Sequence, residues 1–103
     1  MNEVFYYNDL FDIYGEMLTD KQKDYFKEYY FNNMSYGEIG EKYSVSRNAV
    51  FKQLKMATDK LDELEDKLHI YETMKNIEKS IDGLEDESFK KELKDILNNA
   101  FKK

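Results

Sequence analysis

The chain has 103 residues, enough for one modest core and too few for two, with no proline, no cysteine and only four glycines. That composition permits long uninterrupted helices and excludes disulfides, thiolate nucleophiles and cysteine zinc sites, as expected of a chain kept in a reducing, cytoplasmic compartment. A net charge of −6 argues against a uniformly basic nucleic-acid binder, but the charge is uneven: residues 1–34 carry net −4, residues 35–60 net +2 and residues 61–103 net −4.

The expected class is all-α, in a single domain over residues 1–103: supporting helices in 1–34, a helix-turn-helix with a long recognition helix in 35–68, and a C-terminal helical hairpin in 69–103. No apolar run approaches the ~20 residues needed to span a bilayer. The acidic, tyrosine-rich start is unlike a signal peptide, so neither membrane insertion nor export is expected.

Val4, Tyr7, Leu10, Phe11, Tyr14, Met17 and Leu18 recur at three- and four-residue steps, which predicts a helix over residues 3–18 with one buried stripe. Thr19 followed by Gln22 is a capping box. It opens a second helix through about Phe31, with Tyr25, Phe26, Tyr29 and Tyr30 on adjacent turns and Asn32-Asn33 ending it. Rings at this spacing serve a core or a base-stacking platform, and core is the commoner reason. Asp24 and Glu28 beside Lys27 read as a solvated face.

Ser35 to Ala57 is the stretch the rest is organised around. Ser35 and Glu38 form another capping box, and Ser46 caps a following helix across a three-residue turn. Ile39, Tyr43, Val45, Val50 and Leu54 turn one apolar set inward from two short helices. Gly40 falls where their backbones approach most closely. From Arg47 no breaker occurs for a long way, and Val50, Leu54, Ala57, Leu61, Leu64 and Leu68 make a near-heptad stripe. That stripe is either a dimer seam, through Leu61, Leu64 and Leu68 or together with the C-terminal helices, or the face on which the chain's later helices pack. The outward face is basic over Arg47, Lys52, Lys55 and Lys60, then acidic over Asp62, Glu63, Glu65 and Asp66.

An unbroken helix from Arg47 through Asp82 would be about 54 Å long, so a bend is expected near His69-Ile70. Beyond it Tyr71, Met74, Ile77 and Ile81 give one amphipathic helix, Gly83 a C-terminal cap, and Phe89, Leu93, Ile96, Leu97, Ala100 and Phe101 a last helix. This tail covers the core, dimerises the protein or binds a partner.

No catalytic constellation shows. The one histidine, His69, lies at a predicted helix end; there is no glycine-rich phosphate loop and no histidine or cysteine pair at metal-ligand spacing. Neither enzyme activity, nor a metal, nor a cofactor is expected.

From Leu18-Thr19-Asp20-Lys21-Gln22 to about Leu61 the spacing resembles the helix-turn-helix of region 4 of bacterial sigma factors. Ser44 stands at the turn position usually held by glycine, and Met56 and Thr58 where sigma regions carry arginines. A closer resemblance is to the small YlxM-like family. It is carried by Leu10-Phe11-Asp12-Ile13-Tyr14-Gly15, by Leu18 through Phe26 and by Val45-Ser46-Arg47-Asn48-Ala49-Val50-Phe51, and it covers about the first two thirds of the chain. The resemblance implies a sigma region 4-like bundle with extra C-terminal helices and, through the genes its members accompany, a link to the signal recognition particle and its receptor.

Two functions from different classes follow. In one, a regulator places the start of its recognition helix in the major groove: Arg47 reads guanine, Asn48 adenine, Lys42, Lys52 and Lys55 contact phosphates, and Ser46 lies beside them. Phe51 meets a thymine methyl or packs inward. In the other, an adaptor that does not bind DNA contacts the signal recognition particle GTPase or its receptor, with acidic helices suited to basic partners.

Overall fold

In a computed structural model the described residues are 3–101, and of the Phe101 side chain nothing is described. The chain folds into an all-α helix-turn-helix bundle with two further helices. Helix α1 spans Glu3–Tyr14 and tightens into a 3-10 turn, Gly15–Met17; α2 spans Asp20–Phe26 and widens into a π-helical segment, Lys27–Phe31; α3 spans Tyr36–Tyr43, α4 Arg47–Leu68, α5 Ile70–Asp82 and α6 Glu87–Phe101.

The starts of the middle helices are written in their capping residues. Thr19 Oγ1 accepts from the Gln22 amide at 3.2 Å while Gln22 Oε1 accepts from the Thr19 amide at 3.1 Å. Ser35 and Glu38 repeat the exchange at 3.1 and 2.9 Å, and Ser46 Oγ takes the Ala49 amide at 3.0 Å. Each box satisfies donors that a helix start otherwise leaves unpaired.

Three of the corners between helices, those before α3, α4 and α5, share one device. Asn33, Ser44 and His69 hold φ values of 56°, 58° and 55°, left-handed backbone that costs a residue with a Cβ about 1 kcal/mol or more. Gly83 is the C-terminal cap of α5, as expected, but at φ −79°, where any residue fits.

The core is built around α4. Val50, Leu54, Ala57 and Leu61 are buried with Leu10 and Tyr14 of α1, Leu18, Tyr25 and Phe26 around α2, and Ile39 of α3. Phe26 lies at its centre, stacked on Phe11 at 4.4 Å between ring centroids and on Tyr30 at 4.3 Å. The stripe Leu61–Leu64 thus packs on α1 as well as on residues at the start of α5. The start of a later helix thus covers part of it, as one of the two expectations had it, and the amino-terminal helix, which folds back on the same face, covers the rest. Leu61 is fully buried, Leu64 packs on the same core, and Leu68 alone of that trio is more than half exposed. Met17 and Val4, placed in the buried stripe of the first helix, are exposed: the helix tightens at Gly15, which breaks the register that would carry Met17 inward.

Helices α5 and α6 form a hairpin with a small core of Met74, Ile81 and Leu97, against which Ile13 of α1 also packs. Helix α6 lies chiefly along α5. The molecule measures 53 × 26 × 24 Å with a radius of gyration of 16.4 Å, against about 13 Å for a compact chain of this length. The bend at His69 is present, and the molecule is elongated nonetheless.

Candidate nucleic-acid interface

The turn of the helix-turn-helix is fixed by backbone contacts. The Val45 amide donates to the Gly40 carbonyl at 2.9 Å, and a Cβ built on Gly40 would stand 2.7 Å from the Val45 carbonyl oxygen. Only glycine fits without displacing the turn. The close approach is therefore between α3 and the turn itself, rather than between the bodies of the two helices. Ser44 closes α3 in the left-handed region, where an open choice of residue would favour glycine.

This corner presents the start of α4. Arg47, Asn48, Lys52 and Lys55 are exposed; at 100° per residue Asn48, Lys52 and Lys55 lie within one stripe, opposite the buried Val50, Leu54, Ala57 and Leu61. Phe51 and, one turn before it, Arg47 lie on one side of that stripe, between it and the buried face. Phe51 is 46% exposed and meets the Tyr36 ring edge-on at 5.7 Å, and Tyr36 stacks on Tyr29 at 5.0 Å. An aromatic ledge thus borders the basic stripe on the α3 side. Met56 is exposed, and the Thr58 hydroxyl donates back to the Leu54 and Lys55 carbonyls, both at 3.2 Å, so no cation replaces the arginines of the sigma pattern there.

The lysines are not equivalent. Arg47 and Lys52 have no carboxylate partner among the described residues, whereas Lys55 Nζ pairs with Asp59 one turn on at 2.8 Å. Lys42 pairs with Glu28, which also accepts from the Tyr43 hydroxyl at 2.9 Å and the Asn32 side-chain amide at 2.7 Å. The Lys42 ammonium, then Asn32 and Tyr43, hold the Glu28 carboxyl at about 2. Glu28 is almost wholly buried. It ties the π-helical segment to α3 and belongs to the scaffold, not to a solvated face. The signal was present: Glu28 follows the buried Tyr25 by three residues on one helical face.

Glu65 is the second carboxylate that turns inward, and it follows the core residue Leu61 by four. Its Oε1 accepts from the Tyr14 hydroxyl at 2.7 Å and the Tyr71 amide at 2.9 Å, and its Oε2 from the Glu72 amide at 3.1 Å. A side chain from the end of α4 thereby caps the start of α5. Asp62, also assigned to the outer face, is half-buried and accepts from the Tyr7 hydroxyl at 2.9 Å. Glu65, His69 and Glu72 offer donor atoms within 4.8 Å of one another, but both Glu65 oxygens are already occupied by the cap. No helix among the described residues is long and apolar enough to cross a membrane.

Comparison with known proteins agrees with this architecture. The family model UPF0122, described as helix-turn-helix protein, YlxM / p13 like, matches residues 1–100. A UPF0122 protein of Fusobacterium nucleatum is 35% identical over 91 residues, 88% of each chain. One from Listeria innocua is 41% identical over 88 residues, covering 85% of this chain and 80% of its own, and one from Latilactobacillus sakei is 37% identical over 100 residues, 88% of each.

Proposed function

The chain belongs to the UPF0122 family of YlxM/p13-like helix-turn-helix proteins, and from that premise we propose that it is a cytoplasmic, non-enzymatic regulator that binds double-stranded DNA through the start of α4. The observation that carries this reading is the exposed stripe Asn48–Lys52–Lys55 with Arg47 at its edge, on a helix whose opposite face is core. Arg47 donates two hydrogen bonds to guanine and Asn48 exchanges two with adenine, each worth ~1–3 kcal/mol of discrimination. Lys52 is the first phosphate contact. Ser46 offers its hydroxyl proton to a backbone phosphate while its oxygen keeps the cap, and Phe51 meets a thymine methyl from the ledge. Lys55 and Lys42 contribute after exchanging Asp59 and Glu28 for phosphate.

Anisotropy titration onto mixed duplex fragments at several salt concentrations tests this. With Lys52 unpaired and Lys42 and Lys55 each giving up a carboxylate on binding, the affinity should fall with a log–log slope between about −1 and −3, since each neutralised phosphate releases close to one counterion. A flat salt dependence would contradict it.

A second reading has one observation in its favour: the hairpin is acidic and stands apart from the basic stripe. In that reading the protein is an adaptor contacting the signal recognition particle GTPase or its receptor. Calorimetry with the purified GTPases, and their rate of GTP hydrolysis with and without this chain, tests it; no heat and no rate change would remove it.

A further inference from the structure

Helices α5 and α6 leave an open groove of about 440 Å³ between them, lined by Ile77, Ile81, Leu84, Phe89 and Leu93. Ile77 is 40% exposed and Phe89 48%, and Ile96, one turn beyond Leu93 on the Phe89 side of α6, is 58% exposed. These side chains form an apolar strip that adjoins the buried Met74, Ile81 and Leu97 on the same two helices, with Thr73, Asn76 and Ser80 along its α5 edge. Two antiparallel helices with one shared stripe covered and the adjoining one open have the geometry of a three-helix bundle lacking its third member.

Charge decides what fits. The hairpin from Ile70 to Phe101 carries eight acidic and five basic side chains. All three lysines of α6 are committed within the hairpin: Lys94 to Asp82 at 2.6 Å, Lys90 to Glu87 and Lys91 to Asp95, both at 3.6 Å. Glu85 and Glu92 adjoin Leu84 and Leu93 in sequence, Asp86 takes the Phe89 amide at 3.1 Å, and none of the three has a lysine partner among the described residues. A second copy of this hairpin would bring the same acidic rim against itself. A basic segment would not.

We propose that the α5–α6 groove is a docking site for a basic amphipathic helix of a partner protein, its apolar face on Ile77, Leu84, Phe89 and Leu93 and its lysines or arginines over Glu85, Asp86 and Glu92. Helix α5 is about 20 Å long, room for three to four turns of such a helix. The site is independent of DNA binding by α4. It agrees with the adaptor reading but does not require the targeting GTPases to be the partner.

The test is calorimetry on the full chain with three synthetic peptides of about 18 residues: leucines at helical amphipathic spacing with lysines elsewhere, the same leucines with glutamates, and the lysine peptide with its leucines scrambled. The first should bind one to one, and the other two at least about ten-fold more weakly. Ile77→Ser and Phe89→Ser alter exposed side chains, and with the helical circular dichroism unchanged each should weaken the first peptide about ten-fold. Equal binding of the scrambled peptide would reduce the site to bulk acidity, and equal binding of the glutamate peptide would remove the charge argument. No binding of any peptide, or a dimer in sedimentation that Phe89→Ser dissolves, would overturn the proposal, the latter assigning the groove to a second copy.

Discussion

The Tyr14 hydroxyl donates a 2.7 Å hydrogen bond to the buried carboxylate of Glu65 and accepts one at 3.2 Å from the Ile70 amide. One phenol and one carboxylate thus hold three helices at a single point: α1 supplies the tyrosine, α4 the glutamate, and α5 the three amides of Ile70, Tyr71 and Glu72. The orphan donors at the start of α5 would otherwise face a left-handed His69, whose side chain does not cap them.

Glu65→Gln puts an amide where three donors converge, and should cost about 3 kcal/mol of unfolding free energy by denaturant titration. Tyr14→Phe removes one donor and one acceptor and should cost about 1 kcal/mol. The double variant should lose less than the sum by about 1 kcal/mol, because both changes break the same bond. Strict additivity would mean that the two side chains act separately.

The same pair contributes to an alkaline limit, together with Tyr7, Tyr30 and Tyr43, which are also raised. Burial, then the hydrogen bond to Glu65, pushes Tyr14 up to about 12, while an unfolded tyrosine ionises near ~10. Between those values the unfolded chain has released a proton that the folded one keeps, so stability falls as pH rises through that window. Tyr14→Phe should show a shallower decline over the same range, measured as the urea midpoint against pH.

At the acid end Glu28 contributes, beside Glu38, Glu63 and Asp82, whose carboxyls are also held below their ordinary values. Its carboxyl is held at about 2 by Lys42, Asn32 and Tyr43, against about 4.3 in an unfolded chain. As pH drops below ~4.5 the unfolded state takes up the proton first, so the stabilisation is present at neutral pH and is lost toward pH ~2. Glu28→Gln should be less stable than the parent at neutral pH and flatter below it. An identical acid profile for the two proteins would show that Glu28 has no such role.

Two substitutions at the turn should move stability in opposite directions. Ala for Gly in an exposed helix ordinarily stabilises by ~0.5–1 kcal/mol, but Gly40→Ala should destabilise by about 2 kcal/mol, because the new methyl meets the Val45 carbonyl at 2.7 Å. Ser44→Gly relieves the left-handed backbone at the expense of unfolded-chain entropy, and a net gain of about 0.5 kcal/mol is expected. Thermal melts of the two variants distinguish them by sign.

Much of the fold was legible from local chemistry. Thr19/Gln22, Ser35/Glu38 and Ser46 marked three helix starts because a cap and its partner lie within one turn of sequence. The break at His69 followed from the implausible length of an unbroken helix. What stayed hidden depends on partners far along the chain. Glu28 and Glu65 read as solvated because Lys42, Tyr43 and Tyr14 lie 14, 15 and 51 residues away, although each carboxylate sits on an apolar stripe. The candidate site is legible as a set of exposed residues, but the pairing of Lys55 with Asp59 was visible only as a spacing, and that of Lys42 with Glu28 not at all.

That pairing carries its own consequence for binding. Asp59 lies at the end of the stripe Asn48–Lys52–Lys55 and neutralises Lys55, so it opposes an approaching phosphate. Asp59→Asn should tighten duplex binding by about three- to ten-fold at low salt and steepen the salt dependence by up to about one unit of slope. Weaker binding would place Asp59 on the favourable side of the interface.

The most direct test of the central claim compares the native chain with the Arg47→Ala/Lys52→Ala variant on duplex DNA at low salt. Both side chains are exposed, so folding should change by no more than about 0.5 kcal/mol for each. If α4 is the recognition helix, the native chain binds with salt-dependent affinity and the variant, folded by circular dichroism, loses it. Native-like binding by the variant, or no binding by the native chain, would contradict the account.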